Sequence, residues 1–206
     1  VTVAAKWWPL GGELAVAPPL LDGALPGDVG FDPLGLAKTD FVLGELAEAE
    51  VKHARLAMLC AAGWPLGEMW HGPLRRLVGS DINLAGPGGR APAVLNGGLG
   101  GLAGDFCFAV MIALAFDELA MLGRRKPWKR SDPGANLPGD RGLDPFGTYA
   151  AASPDEQFAL RTQEIKNGRT AMMAVLFYAV FEATTGTPIV QQFAPLFRPF
   201  WETPGL

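Results

Sequence analysis

The chain has 206 residues, of which 49% are hydrophobic and 18% are charged, and its mean hydropathy is +0.18. Because an average soluble domain carries about 25% charged residues, this composition favours a membrane protein or an unusually apolar globule. The formal net charge of −4 excludes the basic footprint of a nucleic-acid-binding protein. The two cysteines, Cys60 and Cys107, lie in apolar segments and are interpreted as small hydrophobic residues, not as a disulfide or redox pair.

The first predicted helix covers approximately residues 40–70 and follows a proline- and glycine-rich segment that we expect to be a loop. Asp40 is the expected N-cap, and Pro65 is expected to kink or end the helix. The apolar run 56–66 is shorter than the roughly 20 residues that span a bilayer. The helix can therefore span a membrane only if the charged residues before this run lie inside the membrane and are compensated.

Two further helices are predicted at approximately residues 99–122 and 154–185. The apolar run of the middle helix contains one charge, Asp105, and is the clearest transmembrane signal in the chain. Ser153, followed by Pro-Asp-Glu, indicates a strong start for the third helix, and Gly186 is expected to end it. A basic cluster follows the middle helix and marks the side from which the chain inserts: Arg124, Arg125, Lys126, Lys129 and Arg130. The sequence predicts an all-α membrane protein with three transmembrane helices.

Two parts of the chain repeat each other. Glu50–Met58 and Glu164–Met172 both read E-x-K-[H/N]-[A/G]-R-x-A-M. Each is preceded by a Pro-Gly-Asp block, at Pro26–Gly35 and Pro138–Gly147, in the same order and with nearly the same spacing. This pattern indicates an internal duplication, so we expect the first and third helices to form a crossed pair with pseudo-two-fold symmetry.

The spacing inside the repeat predicts ion pairs between the copies. On a helix, Glu50 and His53 lie on one side, whereas Arg55 points well away and cannot easily neutralise its own Glu. If the copies cross by a two-fold axis, Arg169 meets Glu50 and Arg55 meets Glu164. Each arginine would compensate one desolvated carboxylate of the other helix.

The repeat also offers ligands for a metal ion. The second oxygen of each glutamate, the imidazole of His53 and the amide oxygen of Asn167 would remain available on the outer sides of the helix pair. A Mg²⁺ in a flat macrocycle needs one such axial ligand. On spacing alone, an equally good interpretation is that the charges only hold the helices together. Zinc is disfavoured because the sequence has no cluster of Cys and His.

The motifs resemble those of the light-harvesting chlorophyll-binding family. They are G-F-D-P-L-G at Gly30–Gly35, E-x-x-H-x-R at Glu50–Arg55, G-L-D-P-F-G at Gly142–Gly147 and E-I-K-N-G-R-x-A-M at Glu164–Met172. The resemblance covers nearly the whole chain and implies one domain, residues 1–206. It further implies three transmembrane helices in the plastid thylakoid membrane with a stromal N-terminus.

The resemblance also implies roles for single residues. Five would be axial ligands to chlorophyll magnesium: Glu50, His53, Glu118, Glu164 and Asn167. Asp117 is the alternative to Glu118, and a surface charge is the alternative role for either. Arg55 and Arg169 would be the cross-helix partners. Asp32 and Asp144 would hold the end groups of two carotenoids, although Asp-Pro also makes turns in any protein.

The chain departs from the family pattern at two places. Where many members have a Gln ligand in the third helix, this chain has Phe181, with Glu182 beside it. Either that pigment is lost or its ligand has moved. No His follows His71, so the C-terminal His ligand of plant members is missing, and Gln191 or Gln192 is a weak substitute. The C-terminal segment is similar to that of photosystem I antennae of the red lineage.

The resemblance implies a light-harvesting antenna subunit and not an enzyme. It would bind chlorophyll a, chlorophyll c or b, and xanthophyll carotenoids. Its partners would be a photosystem core, most readily photosystem I, neighbouring antenna subunits and thylakoid lipids. Two alternatives stay open: a photoprotective member of the same family that dissipates excitation, and a small transporter that uses buried carboxylates.

Overall fold

The computed structural model describes residues 20–78, 87–93, 95, 101–122, 128, 137–142 and 144–197. Within these ranges the chain is helical and forms no strand. The basic cluster after the second long helix and the aromatic residues after 197 lie outside the described residues. The helices are α1 (Asp40–Val78), α2 (Gly101–Leu122), α3 (Thr148–Ala151), α4 (Pro154–Thr185), α5 (Ile189–Gln192) and α6 (Ala194–Phe197), with one 3₁₀ turn at Pro87–Gly89.

Helix α1 begins and ends differently from the sequence expectation. Thr39, not Asp40, is the N-cap, because its Oγ1 accepts a hydrogen bond from the amide of Val42 at 3.3 Å. The helix also continues through Pro65 to Val78. A proline inside a helix removes one backbone hydrogen bond, and α1 continues past this loss at Pro65, which is buried.

Helix α4 begins and ends where the sequence predicted. Ser153 and Glu156 form a capping box: the Ser153 amide donates to Glu156 Oε2 at 2.8 Å, and the Glu156 amide donates to Ser153 Oγ at 3.4 Å. Pro154 occupies the first helical position. Gly186 follows the last residue with a φ of 70° and donates its amide to the carbonyl of Glu182.

Among the helices of the described residues, none combines the length and the apolarity needed to cross a membrane.

The chain divides into two compact units. The first consists of Val1–Leu56 and Arg124–Thr170, and the second of Ala57–Gly123 and Ala171–Leu206. Helices α1 and α4 each contribute one half to either unit. Both copies of the Glu-to-Arg motif and both Pro-Gly-Asp blocks therefore lie in the first unit.

A small hydrophobic core fixes the start of the first unit. Leu25, Leu43 and Trp128 are buried together, and partly buried neighbours pack around them: Leu20, Leu21, Ala37 and Ala47. Gly44 permits this packing, because a Cβ at that position would lie 3.1 Å from the Cβ of Trp128. The core holds the loop with the first Pro-Gly-Asp block against the first turns of α1.

Candidate functional site

Helices α1 and α4 touch within the first unit. Ala54 is fully buried, and a Cβ built on Gly168 would overlap its side chain and lie 3.0 Å from its Cα. These two residues occupy the same position in the two copies of the motif. Small residues at such a place allow two helix backbones to approach closely.

The two ion pairs between the copies are those that the two-fold argument predicts. Nε of Arg55 lies 2.6 Å from Oε1 of Glu164, and Nε of Arg169 lies 2.7 Å from Oε1 of Glu50. Each pair joins α1 to α4, so the charge of every motif glutamate is balanced by the other helix.

Each arginine also binds a loop carbonyl, which the sequence did not predict. Nη1 of Arg169 donates to the carbonyl oxygen of Gly27 at 2.9 Å, and Nη1 of Arg55 donates to that of Gly139 at 2.6 Å. Both glycines are the central residue of a Pro-Gly-Asp block. The guanidinium group thus joins three elements: its own helix, the other helix and the loop before that other helix.

Geometry explains why both blocks have glycine at this place. Gly27 and Gly139 have φ values of 75° and 73°, in the left-handed region that favours glycine. A Cβ on Gly27 would lie 2.9 Å from Cγ2 of Ile165, and a Cβ on Gly139 would lie 2.5 Å from Cγ1 of Val51. Val51 and Ile165 are again equivalent positions of the motif, so the two-fold relation extends from the ion pairs to the loops.

One oxygen of each motif glutamate remains available to a ligand. The hydrogen bonds of the described residues engage Oε1 of Glu50 and of Glu164, and none engages Oε2 of either. The two side chains are 34% and 29% exposed. Each glutamate can therefore hold its arginine with one oxygen and a metal ion with the other.

The hydrogen bond of His53 defines its tautomer. Nδ1 lies 2.7 Å from the carbonyl oxygen of Ala49, and because a carbonyl can only accept, Nδ1 carries the proton. The side chain is exposed, and the lone pair on Nε2 is therefore available. Asn167, the equivalent residue of the second copy, is also exposed. This donor set, single oxygen and nitrogen atoms on the outer side of the helix pair, fits axial ligation of separate Mg²⁺ macrocycles.

The carboxylates of Asp32 and Asp144 both organise turns. Asp32 accepts from the amides of Leu36 and Ala37 at 3.0 and 2.9 Å. Asp144 accepts from those of Thr148 and Ala150 at 3.1 and 2.9 Å. The Ala37 amide, followed by that of Leu36, lowers the pKa of Asp32 below its ordinary value of 3.8. Each carboxylate oxygen keeps a second lone pair, so acceptor capacity toward a hydroxyl group remains.

A cavity of about 530 Å³ lies beside the ion pairs in the first unit. The polar part of its wall includes Asp32, Glu50, Glu164 and Arg169, and much of the rest is apolar, as at Phe31. An elongated apolar molecule with a polar end group suits such a wall.

The predicted ligand of the middle helix is not part of this site. Glu118 and its alternative Asp117 are both partly buried residues of α2, which belongs to the second unit.

Glu182, beside the position where the resemblance implies a Gln ligand, is a buried residue of the second unit. Its side chain is 1% exposed, and Oε1 accepts hydrogen bonds from Nε1 of Trp64 at 2.8 Å and from the amide of Ile189 at 3.3 Å. Phe181 packs with two other aromatic rings, 5.0 Å from Phe177 and 5.7 Å from Phe193 between centroids. This burial of Glu182 in the second unit, where the amide of Ile189 reaches it, was not visible in the sequence.

Comparison with known proteins gives the family. The sequence model of the family described as Chlorophyll A-B binding protein matches residues 17–183. The chain belongs to this family.

Individual relatives with chlorophyll-binding names support the same family assignment. The chain is 34% identical over 180 residues to chlorophyll a-b binding protein 1B-21 of Hordeum vulgare, a match that covers 87% of this chain and 68% of the relative. It is 34% identical over 224 residues to chlorophyll a-b binding protein CP24 10A of Solanum lycopersicum, covering 92% and 80% of the two chains. It is also 34% identical over 188 residues to photosystem I chlorophyll a/b-binding protein 6 of Arabidopsis thaliana, covering 81% and 62%.

Proposed function

We propose that the protein is a light-harvesting antenna subunit, which holds chlorophylls and carotenoids in place and passes excitation energy to a photosystem. This proposal rests on one observation, which is how Glu50 and Glu164 use their two carboxylate oxygens. One oxygen of each is held by an arginine, and the other is left for a ligand. The family and the names of its members support it. The protein is not an enzyme, since its relatives are chlorophyll-binding proteins.

The proposed axial ligands to chlorophyll magnesium are Glu50, His53, Glu118, Glu164 and Asn167. Chlorophyll, when bound, supplies light absorption and excitation transfer, and the protein positions it. The bond from Nδ1 of His53 to the Ala49 carbonyl orients the ring, so that Nε2 would face the pigment. The arginines hold the glutamate carboxylates in fixed rotamers, so that Oε2 presents a defined direction.

The proposed carotenoid sites use the turns at Asp32 and Asp144. The wall of the cavity beside the first turn is largely apolar and includes the carboxylate of Asp32, which suits a xanthophyll. Backbone amides fix the carboxylate of each turn, and a lone pair of that carboxylate would accept the hydroxyl of the end group.

The proposed location is the plastid thylakoid membrane, with α1, α2 and α4 as spans and a stromal N-terminus. The relatives carry the word chloroplastic in their names. Large apolar side chains are exposed around α2, as at Phe108, Met111 and Phe116, and these surfaces suit lipid and pigment tails. The two reciprocal pairs compensate four of the charges that lie within α1 and α4. Limited proteolysis of sealed thylakoids tests the orientation: cleavage before α1 from the stromal side is expected.

The proposed partner is photosystem I, together with neighbouring antenna subunits and thylakoid lipids. One relative has photosystem I in its name, which supports this partner. Native-gel separation of mildly solubilised thylakoids should place the protein with photosystem I. Co-migration with photosystem II alone would contradict this assignment.

An absorption spectrum of the purified native protein, followed by pigment extraction, tests the function. Chlorophyll a with bound xanthophylls is the expected result, and the accessory pigment separates chlorophyll c from chlorophyll b. A fluorescence lifetime measured on the same sample distinguishes harvesting from dissipation, because a dissipating subunit shortens it. A folded but colourless protein would overturn the proposal and favour the transporter alternative.

A further inference from the structure

One arginine in the wall of the cavity is not required by the repeat. Arg161 lies three residues before Glu164 on α4, and the residue three before Glu50 on α1 is Ala47. Both Arg161 and Ala47 line the cavity. The crossed helix pair is therefore built with an alanine at this position of one helix, so the arginine on the other helix calls for a reason of its own.

Two of the three guanidinium nitrogens of Arg161 are bonded to neighbours. Nε donates to the hydroxyl of Tyr149 at 2.7 Å, and Nη2 donates to Oδ2 of Asp140 at 3.1 Å. The side chain is only 14% exposed. Among the described residues, none accepts a hydrogen bond from Nη1, which carries two N–H donors. A largely buried donor without an acceptor is unfavourable, so Nη1 suits an acceptor on a molecule in the cavity.

The charges of the wall favour an uncharged acceptor over an anion. Asp140 already balances the charge of Arg161. Among the described residues, the wall contains more carboxylates than arginines: Asp28, Asp32, Glu50 and Glu164 against Arg161 and Arg169. An anionic ligand would add to this negative charge, which is unfavourable. The oxygen that accepts from Nη1 is therefore expected to be neutral.

Asp32 and Arg161 offer opposite kinds of hydrogen bond within this wall. The carboxylate of Asp32 only accepts, whereas Nη1 of Arg161 only donates. The contacts of the described residues include no hydrogen bond or ion pair between the two. Both are thus left for a ligand: a ring hydroxyl would donate to Asp32, and a second oxygen of the same molecule would accept from Nη1.

We propose that Arg161 is a specificity-determining residue of this cavity and selects a xanthophyll with an epoxide or ketone oxygen in addition to its hydroxyl groups. The inference rests on the proposed carotenoid site and goes beyond it by defining the chemistry of the ligand. A xanthophyll with hydroxyl groups alone has no separate acceptor for Nη1 once its ring hydroxyl is bound to Asp32.

Competitive reconstitution tests the proposal. The whole 206-residue chain is refolded with chlorophyll a and equal amounts of violaxanthin and zeaxanthin. The two share their skeleton and hydroxyl groups, and violaxanthin has an epoxide oxygen on each ring. The wild-type chain is expected to prefer violaxanthin by about tenfold in this cavity, because zeaxanthin loses a hydrogen bond from a charged donor. A carotenoid at the Asp144 turn adds a background that is the same in every variant.

Arg161→Met removes the donor and keeps a long apolar side chain. The preference in the cavity should then fall from about tenfold to about onefold, while the total xanthophyll bound per polypeptide stays the same. Gln163→Met is the matched control, because Gln163 is an exposed residue of the same helix and is not part of the described wall. This control should keep the wild-type ratio. A role of Arg161 in the fold alone would instead lower both xanthophylls together.

The outcomes separate this inference from the antenna proposal. Equal binding of the two xanthophylls by the wild-type chain, an unchanged ratio in Arg161→Met, or a joint loss of both xanthophylls there would overturn the role of Arg161 alone. A wild-type chain that binds no pigment would overturn both proposals. If Arg161→Met does not assemble, Arg161→Ala decides, because the equivalent position of the first copy is Ala47. Failed assembly of both variants would show that Arg161 is structural and overturn its role in selection.

Discussion

Arg169 and Glu50 are 119 positions apart in the chain, yet their side chains meet at 2.7 Å. Arg55 and Glu164 repeat this contact at 2.6 Å, and each arginine adds the carbonyl of one Pro-Gly-Asp block. In the repeated motif, the glutamate that joins the two helices uses Oε1 for this contact, and no hydrogen bond of the described residues engages its Oε2.

Removing one arginine should prevent assembly. Arg169→Leu would leave Glu50 without its partner and Gly27 without its donor. The pair is half-buried, with Arg169 39% and Glu50 34% exposed, so breaking it costs less than the about 3–5 kcal/mol of a fully buried pair. We expect failed pigment assembly, measured as pigment bound per polypeptide after reconstitution. Lys166→Leu, an exposed residue of the same helix, is the matched control and should assemble normally. A stable Arg169→Leu protein with nearly full pigment would contradict the role of the pair.

His53→Leu should remove about one chlorophyll and leave the fold intact. The leucine has no lone pair for a metal ion, whereas the ion pairs of Arg55 and Arg169 are unchanged. His53→Asn is the control, because the equivalent position of the second copy is Asn167 and should act as a ligand there. Pigment stoichiometry and circular dichroism measure the effect. Loss of all pigment from the leucine variant would show that His53 is structural.

Alanine substitutions at two glycines distinguish the cost of backbone strain from the cost of steric overlap. Gly139→Ala and Gly142→Ala both place a side chain at positive φ, which costs about 1–2 kcal/mol. Only at Gly139 does the new Cβ meet a neighbour, Val51; at Gly142 nothing lies within 4 Å. We expect a larger drop in thermal stability for Gly139→Ala. Equal drops would mean that the contact between the loop and α1 adds nothing.

The turn at Asp32 should loosen in acid. Its amide hydrogen bonds lower the pKa of the folded state below 3.8, so the carboxylate stabilises the turn above that value. The stabilisation is lost as the pH falls through the lowered pKa. Exchange of the Leu36 and Ala37 amides, corrected for intrinsic rates, should accelerate below pH 3.8. Asp32→Asn should remove this acid dependence, and an unchanged profile in that variant would exclude the carboxylate as its cause.

The sequence was sufficient for the parts of the site that depend on helical spacing. The ion pairs of Arg55 and Arg169 follow from the repeat, and the capping box at Ser153 follows from residue type. The carbonyls of Gly27 and Gly139 could not be predicted, because a carbonyl direction depends on φ and ψ and not on residue type.

Other features depend on tertiary packing. The sequence places Glu182 beside the position of an implied ligand, and the structure buries its side chain against the amide of Ile189. Pro65 favours a kink or an end of α1, and the helix continues past it to Val78.

Both partners of each arginine belong to the opposite copy of the repeat. Arg55 of the first copy binds Glu164 and Gly139 of the second, and Arg169 binds Glu50 and Gly27 of the first. Among these contacts, neither arginine pairs with the glutamate of its own copy, and neither binds the Pro-Gly-Asp loop of its own copy. The arrangement resembles a domain-swapped dimer within a single chain, because the arginine of each copy makes its contacts with the other copy.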